Sequence, residues 1–390
     1  MTVPRTAAPL LKKMARGFPV IAITGPRQSG KSTLAREVFS QHPYVTLEDL
    51  DTRRIALDDP RRFLARFPQG AVLDEVQRAP ELLSYLQSHV DASQRMGEFV
   101  VTGSQQFGLM DGRLGNATQS LAGRVGMLQL LPLSNSELLQ SASANAPLEE
   151  RMWRGGYPAL HASLRELEPS TWFASYIATY LERDVRQVLN ISDMGLFQRF
   201  VLMCAARSGQ LLNLNSLASD CGISQPTARQ WLTVLQASYV VTLLQPYHRN
   251  FGKRLVKKPK LYFLDTGVLC HLLRIADPQT LLTHALRGAI FETWVVTEVI
   301  KHRYNQGLAA DIYFWRDNHG VELDLMFEDA GRLQAVEVKP GSTFSMDWLN
   351  TARRWKALVG EVAAQPIVVY GGKESFELAD ARAVSWRDLK

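Results

Sequence analysis

Short apolar runs punctuate the first part of the chain. Val20-Ile21-Ala22-Ile23, Ala71-Val72-Leu73 and Phe99-Val100-Val101 each pass without polar interruption. Such runs predict strands buried on both faces of a parallel sheet. Helix-compatible stretches lie between them, among them LAREVF (Leu34–Phe39). Strands alternating with helices predict a sheet covered on both sides. A further strand-like run goes from Val125 to Leu133. From Leu196 the pattern becomes helical, with Phe197, Phe200, Val201 and Cys204 recurring on one face. Asn215 is placed to cap a short helix over Ser216–Asp220, and Gly222 supplies a turn. Ser224 then caps a second helix from Gln225 to Ala237, whose apolar face carries Ala228, Trp231, Leu232 and Leu235. Two strands follow, Tyr239–Gln245 and Leu261–Leu264. The last third predicts a helix over Ala289–His302 and strands at Asp311–Arg316, Val321–Phe327 and Leu333–Lys339.

At 390 residues the chain exceeds one ordinary core, so two or three domains are expected. With 46% hydrophobic and 21% charged residues, wholesale disorder is excluded. The net charge of +6 permits a nucleic-acid partner without requiring one. Three cysteines, Cys204, Cys221 and Cys270, stand far apart with no Cys-x-x-Cys, which fits reduced thiols and a cytoplasmic location. No apolar segment is long enough to predict a membrane helix, and the amino-terminal residues do not read as a signal peptide.

The chemistry begins where the first strand ends. Gly25-Pro26-Arg27-Gln28-Ser29-Gly30-Lys31-Ser32-Thr33 fits the spacing of a phosphate-binding loop between a strand and a helix. Glycines let successive backbone N–H groups face one anion, and the helix start adds its partial positive charge. ATP with Mg²⁺ is the expected occupant. Lys31 is positioned for the β- and γ-phosphates, and the Ser32 hydroxyl for the metal. Asp74 and Glu75 follow the second apolar run, the first suited to the metal shell and the second to polarising a water. After the third run, Ser104 or Gln105 is placed to touch the γ-phosphate or the water; a plain turn is the alternative. Arg124 is a candidate arginine finger acting across a subunit boundary, which would require a homo-oligomer. A clamp within its own subunit or a surface arginine remain open readings.

Farther along, the two short helices form a helix-turn-helix whose exposed face carries Gln225, Thr227, Arg229 and Gln230. The hairpin after it is basic. Arg249, Lys253, Arg254, Lys257, Lys258 and Lys260 lie between Tyr247 and Lys260 with no acid. A helix-turn-helix with a basic hairpin reads as a winged helix suited to DNA phosphates. Such modules also dock proteins. In the last third, Asp324 lies on one strand, and Glu337 and Lys339 share a face of the next. Two carboxylates and a lysine are suited to Mg²⁺-dependent phosphodiester chemistry, with Glu292, ahead of Glu298, completing a metal shell from the helix.

Together these segments make the chain resemble a prokaryotic family of AAA-type ATPases with a winged helix and a carboxy-terminal restriction-endonuclease-like domain of unknown function. GPRQSGKST (Gly25–Thr33), LDEVQ (Leu73–Gln77), TGSQ (Thr102–Gln105) and LAGRV (Leu121–Val125) carry the likeness in the first part. RGGYP (Arg154–Pro158), YLERDV (Tyr180–Val185), KPKLYFLDTG (Lys258–Gly267), FETWVVTEV (Phe291–Val299), GVELDLMF and VEVKPG carry it afterwards. The resemblance implies an α/β fold of three units. A P-loop NTPase parallel-sheet domain would cover 1–150, a helical and winged-helix domain 151–275, and an α/β restriction-endonuclease-like domain 286–390. It also implies a recurring motif at Arg183 and Asp184, as a junction ion pair, a nucleotide-sensing arginine or an ordinary helix charge pair. The expected function is ATP-dependent action on duplex or branched DNA. The alternative is a nucleotide-gated switch that binds a protein partner and keeps an inert nuclease-like core. A metabolic kinase would leave the carboxy-terminal two-thirds unexplained.

Overall fold

The computed structural model describes residues 3–104, 121–162, 167–181, 193–247, 257–317 and 319–389. Five parallel strands form the amino-terminal sheet: β1 (Val20–Thr24), β2 (Tyr44–Thr46), β3 (Ala71–Asp74), β4 (Phe99–Gly103) and β5 (Val125–Gln129). Their spatial order is β2-β3-β4-β1-β5, with Val20 opposite Phe99 on one side and Val125 on the other. All of β1, β3 and β4 is buried, as uninterrupted apolar runs require. Alternate residues serve opposite faces. Val20, Ala22, Leu73 and Val101 pack with Leu82, Leu83 and Leu86 of the helix Leu82–Ser93. Ile21, Ile23, Val72 and Val100 pack with Leu34 and Ala35 of the helix Lys31–Val38 and with Leu11 of the helix Ala8–Met14.

Because β4 lies between β1 and β3, the ends of all three strands sit side by side. Gly25, Glu75 and Ser104 leave the sheet there. The strand expected over Val125–Leu133 stops at Gln129. The Leu130 N–H still donates to the Thr24 carbonyl at 2.7 Å, but Leu133 then bonds to Gly156 and Leu131 joins a different core.

The middle unit contributes helices Met194–Ala205, Leu214–Cys221 and Gln225–Ala237, and strands β6 (Gln210–Leu211), β7 (Val241–Pro246) and β8 (Lys260–Phe263). Ser224 caps the third helix, accepting the Thr227 N–H at 3.2 Å, and Ala228, Trp231, Leu232 and Leu235 are buried as the spacing predicts. The preceding helix is capped by Asn213 rather than Asn215. Asn213 accepts the Ser216 N–H, and this earlier start turns Leu217, Ala218 and Cys221 inward while Asn215 stays exposed. The strands β6 and β7 flank β8, both antiparallel to it.

The carboxy-terminal strands are β9 (Ile312–Arg316), β10 (Glu322–Asp329), β11 (Arg332–Lys339), β12 (Ile367–Tyr370), β13 (Phe376–Glu377) and β14 (Arg382–Ser385). Strand β10 is antiparallel to β9 and β11, while β12 runs parallel to β11 and β14. Strand β7 also pairs in parallel with β9, Gln245 opposite Tyr313 and Pro246 opposite Phe314. That pairing fuses the stretches expected as separate units 151–275 and 286–390 into one nine-stranded sheet, β13-β14-β12-β11-β10-β9-β7-β8-β6. Their core is shared as well. Phe197 and Leu235 belong to the same apolar cluster as Phe291 and Trp294 of the helix Arg287–Asn305, and as Val336 of β11. Cys204, Cys221 and Cys270 are free and buried. Among the described residues no helix is long and apolar enough to cross a membrane.

Candidate functional site

The first site lies at the carboxyl ends of β1, β3 and β4. Gly25 leaves β1 with φ 153°, and a Cβ there would stand 2.1 Å from the Leu130 carbonyl oxygen, so the loop must begin with glycine. Gly30, at φ 94°, turns the chain into the helix Lys31–Val38. No side chain caps that helix start and no acid lies in its first turn, which leaves its N–H groups to an anion. The Ser29 hydroxyl is buried without a partner. Arg27, Gln28, Gly30, Lys31, Ser32 and Thr33 line the cleft on one side, and Glu48, Asp74, Glu75 and Pro158 close the rest. An orphaned hydroxyl, open helix N–H groups and a buried ammonium fit a phosphate chain.

Lys31 is 4% exposed and donates to the carbonyls of Gly25 at 3.0 Å and Pro26 at 2.8 Å. Burial pulls its ammonium down from 10.5 to about 8, opposed by the negative charges of Glu75 and Asp74. Asp74 accepts hydroxyls from Ser32 at 2.7 Å, Tyr44 at 2.7 Å and Thr102. Ser32 and Asp74 therefore already sit as a pair, as a magnesium shell requires. Burial and the bond to Asp74 push the Tyr44 hydroxyl up from its ordinary value. Glu75 adopts φ 58°, and its N–H donates to Thr102. Ser104 donates to the Glu75 carboxylate at 3.2 Å, and Gln77 bonds to both. Burial raises the Glu75 carboxyl, against the lowering pull of Lys31 and Arg27. Ser104 thus holds the acid rather than standing apart from it.

Two contributors carry no sequence signal strong enough to mark them, and a third comes from a motif already noted. Arg5 donates to the Ser29 carbonyl at 2.7 Å, to Leu131 at 2.7 Å and to Glu137 at 3.0 Å, bracing the loop from behind. Tyr239, at φ 58°, donates its hydroxyl to Thr24 at 2.7 Å, one residue before Gly25. Pro158 reaches the cleft from the RGGYP motif. Asp265 accepts the Gly156 N–H at 2.8 Å and leaves no room for a Cβ on Gly155, which fixes that turn. Arg124 is not brought to this site. It lies at the opposite end of the sheet, before β5, and pairs with Asp91. In this position it does not reach the cleft of its own subunit.

The second site lies where β10, β11 and the helix Arg287–Asn305 meet. The pairing of β10 with β9 shifts register between Leu323 and Met326, which re-aims Asp324. Asp324 accepts the Val338 N–H at 2.8 Å. Lys339 donates to Glu337 at 2.8 Å and stands 3.9 Å from Asp324. Glu337 is 2% exposed, and one of its oxygens has no partner. Burial and the Asp324 charge push its carboxyl up to about 8. Glu292 joins this group. Burial and Asp324 raise it to about 7, while Lys260 opposes the shift. Donor oxygens of Glu292, Glu322 and Asp324 lie within 4.8 Å of one another. Glu322 is a new member, two residues before Asp324 on the same face of β10. Glu298 is elsewhere: it accepts the Asn135 N–H at 2.6 Å and pairs with Lys301 at 2.7 Å.

Lys260 departs from expectation. The basic run places it on an exposed hairpin, yet it is 3% exposed and pairs with Glu292 at 2.9 Å and with Glu322. It alternates with Tyr262, which donates to the same Glu292 oxygen at 2.5 Å, so the strand's period turns both inward. Gln225, Arg229 and Gln230 are exposed on their helix, whereas the Thr227 hydroxyl is bonded to that of Ser224. Lys257 and Lys258 are exposed at the base of the hairpin. Arg249, Lys253 and Arg254 lie outside the described residues, as do Gln105, Arg183 and Asp184.

The family model of an AAA domain matches residues 17–139. Two domains of unknown function, DUF8612 and DUF4143, match residues 145–279 and 287–389. Two curated relatives, the uncharacterized proteins Rv2008c of Mycobacterium tuberculosis and Mb2031c of Mycobacterium bovis, are each 34% identical over 381 residues. Those residues are 96% of this chain and 82% of each relative. Among solved structures, the Walker-type ATPase PABY2304 of Pyrococcus abyssi aligns at 14% identity and TM-score 0.46. That alignment covers 68% of this chain and 94% of the other. A single-substitution variant of RuvB from Thermotoga maritima aligns at 19% identity and TM-score 0.29, covering 60% and 85%.

Proposed function

We propose that this chain, which belongs to the same family as the two mycobacterial proteins, binds and hydrolyses ATP with Mg²⁺ and couples that cycle to DNA. Its amino-terminal AAA-type domain supplies the engine. The observation that carries the reading is the buried Lys31 ammonium, folded onto the carbonyls of its own loop beside the Ser32–Asp74 pair. When ATP enters, Lys31 leaves Gly25 and Pro26 for the β- and γ-phosphates. Ser32 and Asp74 would hold Mg²⁺, which when bound neutralises charge on the phosphate oxygens. Glu75 takes a proton from the attacking water, and its raised proton affinity suits a general base. Ser104 and Gln77 fix the direction of that carboxylate. The Tyr239–Thr24 bond joins the end of the third helix of the middle unit to the root of the loop, a route by which the two units sense each other.

The helix–strand–helix–helix–strand–strand order of the middle unit, with β8 between β6 and β7, supports reading it as a winged helix. The exposed Gln225, Arg229, Lys257 and Lys258 support DNA as its partner. Thr227 positions the helix start rather than offering a free hydroxyl. Asp324, Glu337 and Lys339, with Glu292, support a restriction-endonuclease-like core. The unpartnered Glu337 oxygen is the feature that fits a divalent cation there. In that core the carboxylates would hold the metal, and Lys339 would orient the water or the phosphate.

ATP turnover with and without duplex or branched DNA, with Mg²⁺, tests the proposal when the same mixture is run on a gel. Turnover lost in Lys31→Ala and raised by DNA is the expected result. A folded sample that retains no ATP overturns it. A second reading, a nucleotide-gated switch with an inert nuclease-like core that docks a protein, draws on the neutralisation of Glu292 and Glu322 by Lys260. Turnover indifferent to DNA, together with a stable partner in pulldowns, would favour it.

A further inference from the structure

The acidic group of the carboxy-terminal core holds a positive charge of its own. Lys260 opens β8 and is almost wholly buried. Its ammonium bridges Glu292 and Glu322, two of the three carboxylates whose donor oxygens lie within 4.8 Å of one another. That spacing is within reach of one divalent ion, because oxygens bound at about 2.4 Å on opposite sides of a cation stand about 4.8 Å apart, and a smaller ion would draw them closer. An independent observation points to a cation. Glu337 is buried beside Asp324, and one oxygen has no donor although the other takes Lys339. A buried carboxylate oxygen without a donor, next to further carboxylates, is unfavourable unless a proton or a cation reaches it, and a metal ion would displace that proton. Arg316 holds the outer oxygen of Glu322 at 2.9 Å, which leaves its inner oxygen to Lys260.

We propose that Lys260 is the resident counter-cation of a divalent-metal site formed by Glu292, Glu322 and Asp324 beside Glu337, and that a metal ion enters only by exchanging with the Lys260 ammonium. The inference rests on the nuclease-like reading of this core and adds Glu322 and Lys260 to it. An ammonium held between two of the carboxylates repels a divalent ion entering the same half-buried site. The lysine side chain is long and unbranched, so it can swing away while β8 keeps its place. Metal affinity is therefore held down in the resting protein, and metal binding exposes a lysine that is otherwise sealed.

Mn²⁺ titrated into the nucleotide-free full chain, with free Mn²⁺ followed by electron paramagnetic resonance, tests this. Asp324→Asn defines which bound metal belongs to the site. Lys260→Met is expected to tighten the Asp324-dependent component at least about tenfold. Should that variant fail to fold, the unaltered protein supplies a second readout. Chemical acetylation of Lys260, measured by mass spectrometry, is expected to rise several-fold at saturating Mn²⁺ and to stay low in Asp324→Asn. Equal Mn²⁺ affinity with and without Lys260, or a Lys260 still unreactive at saturating metal, overturns the exchange and leaves the metal site standing. If no variant shows Asp324-dependent Mn²⁺ binding, the site and the nuclease-like reading both fall.

Discussion

Nucleotide affinity should weaken as pH rises past about 8, and Lys31 is the cause. Its ammonium is buried against two carbonyl oxygens, and burial lowers it from 10.5 to about 8. A drop of that size means the free protein disfavours the charged form by roughly 3 kcal/mol. A triphosphate brings negative charge to the loop and restores the preference for the ammonium. Below about pH 8 the lysine is already charged, so binding takes up no proton. Above it, each binding event must capture one, and the dissociation constant should climb about tenfold per pH unit until the bound-state value is reached. The sign for stability runs the other way. The unfolded chain holds the Lys31 proton more tightly, so its burial cost is fully present below about 8 and is relieved as pH rises toward 10.5. Calorimetric titration with a non-hydrolysable ATP analogue and Mg²⁺, in buffers of different ionisation enthalpy, measures both affinity and proton uptake. Lys31→Met should bind about two orders of magnitude more weakly, from loss of roughly 3 kcal/mol of charge-assisted bonding, and should lose the pH slope. A flat affinity for the unaltered protein between about pH 7.5 and pH 9.5, or the same slope in Lys31→Met, refutes the reasoning.

Glu75→Gln should still bind ATP but release phosphate at least about a hundredfold more slowly, because the water loses its proton acceptor; normal phosphate release would remove Glu75 from that role. Asp324→Ala should abolish any Mg²⁺-dependent DNA cleavage while ATP turnover persists, and cutting that survives on a gel would place the chemistry elsewhere. Lys257→Ala should weaken duplex binding in fluorescence anisotropy across all sequences and reduce the salt slope by about one. An unchanged slope would take the hairpin base out of the DNA interface.

The candidate nucleotide cleft is largely legible in the sequence because its parts are local. Gly25, Gly30, Lys31 and Ser32 sit within one turn of chain, and Asp74 and Glu75 end an unmistakable apolar run. Burial of β1, β3 and β4 on both faces marks them as interior strands, but only the sheet order places β4 between the other two and so brings Ser104 between them. What escapes a reading of the sequence is long-range or lone. Arg5 is a single arginine ahead of the first helix, and nothing near it in sequence signals that Ser29 lies against it. Asn213 and Asn215 are equally good caps locally, and only the need to bury Leu217, Ala218 and Cys221 decides between them. Lys260 reads as the last of a basic run until its alternation with Tyr262 is set against Glu292, which belongs to a different element farther along the chain. Arg124 stands away from the nucleotide cleft for a topological reason, since it enters β5 at the end where β1 begins.

The parallel pairing of β7 with β9 has a consequence for how this molecule carries load. Gln245 and Pro246 are stitched to Tyr313 and Phe314, so a pull on the end of β7 passes into the same sheet that holds the acidic cluster. Neither part can be drawn away from the other without breaking those main-chain contacts and opening the apolar core they share.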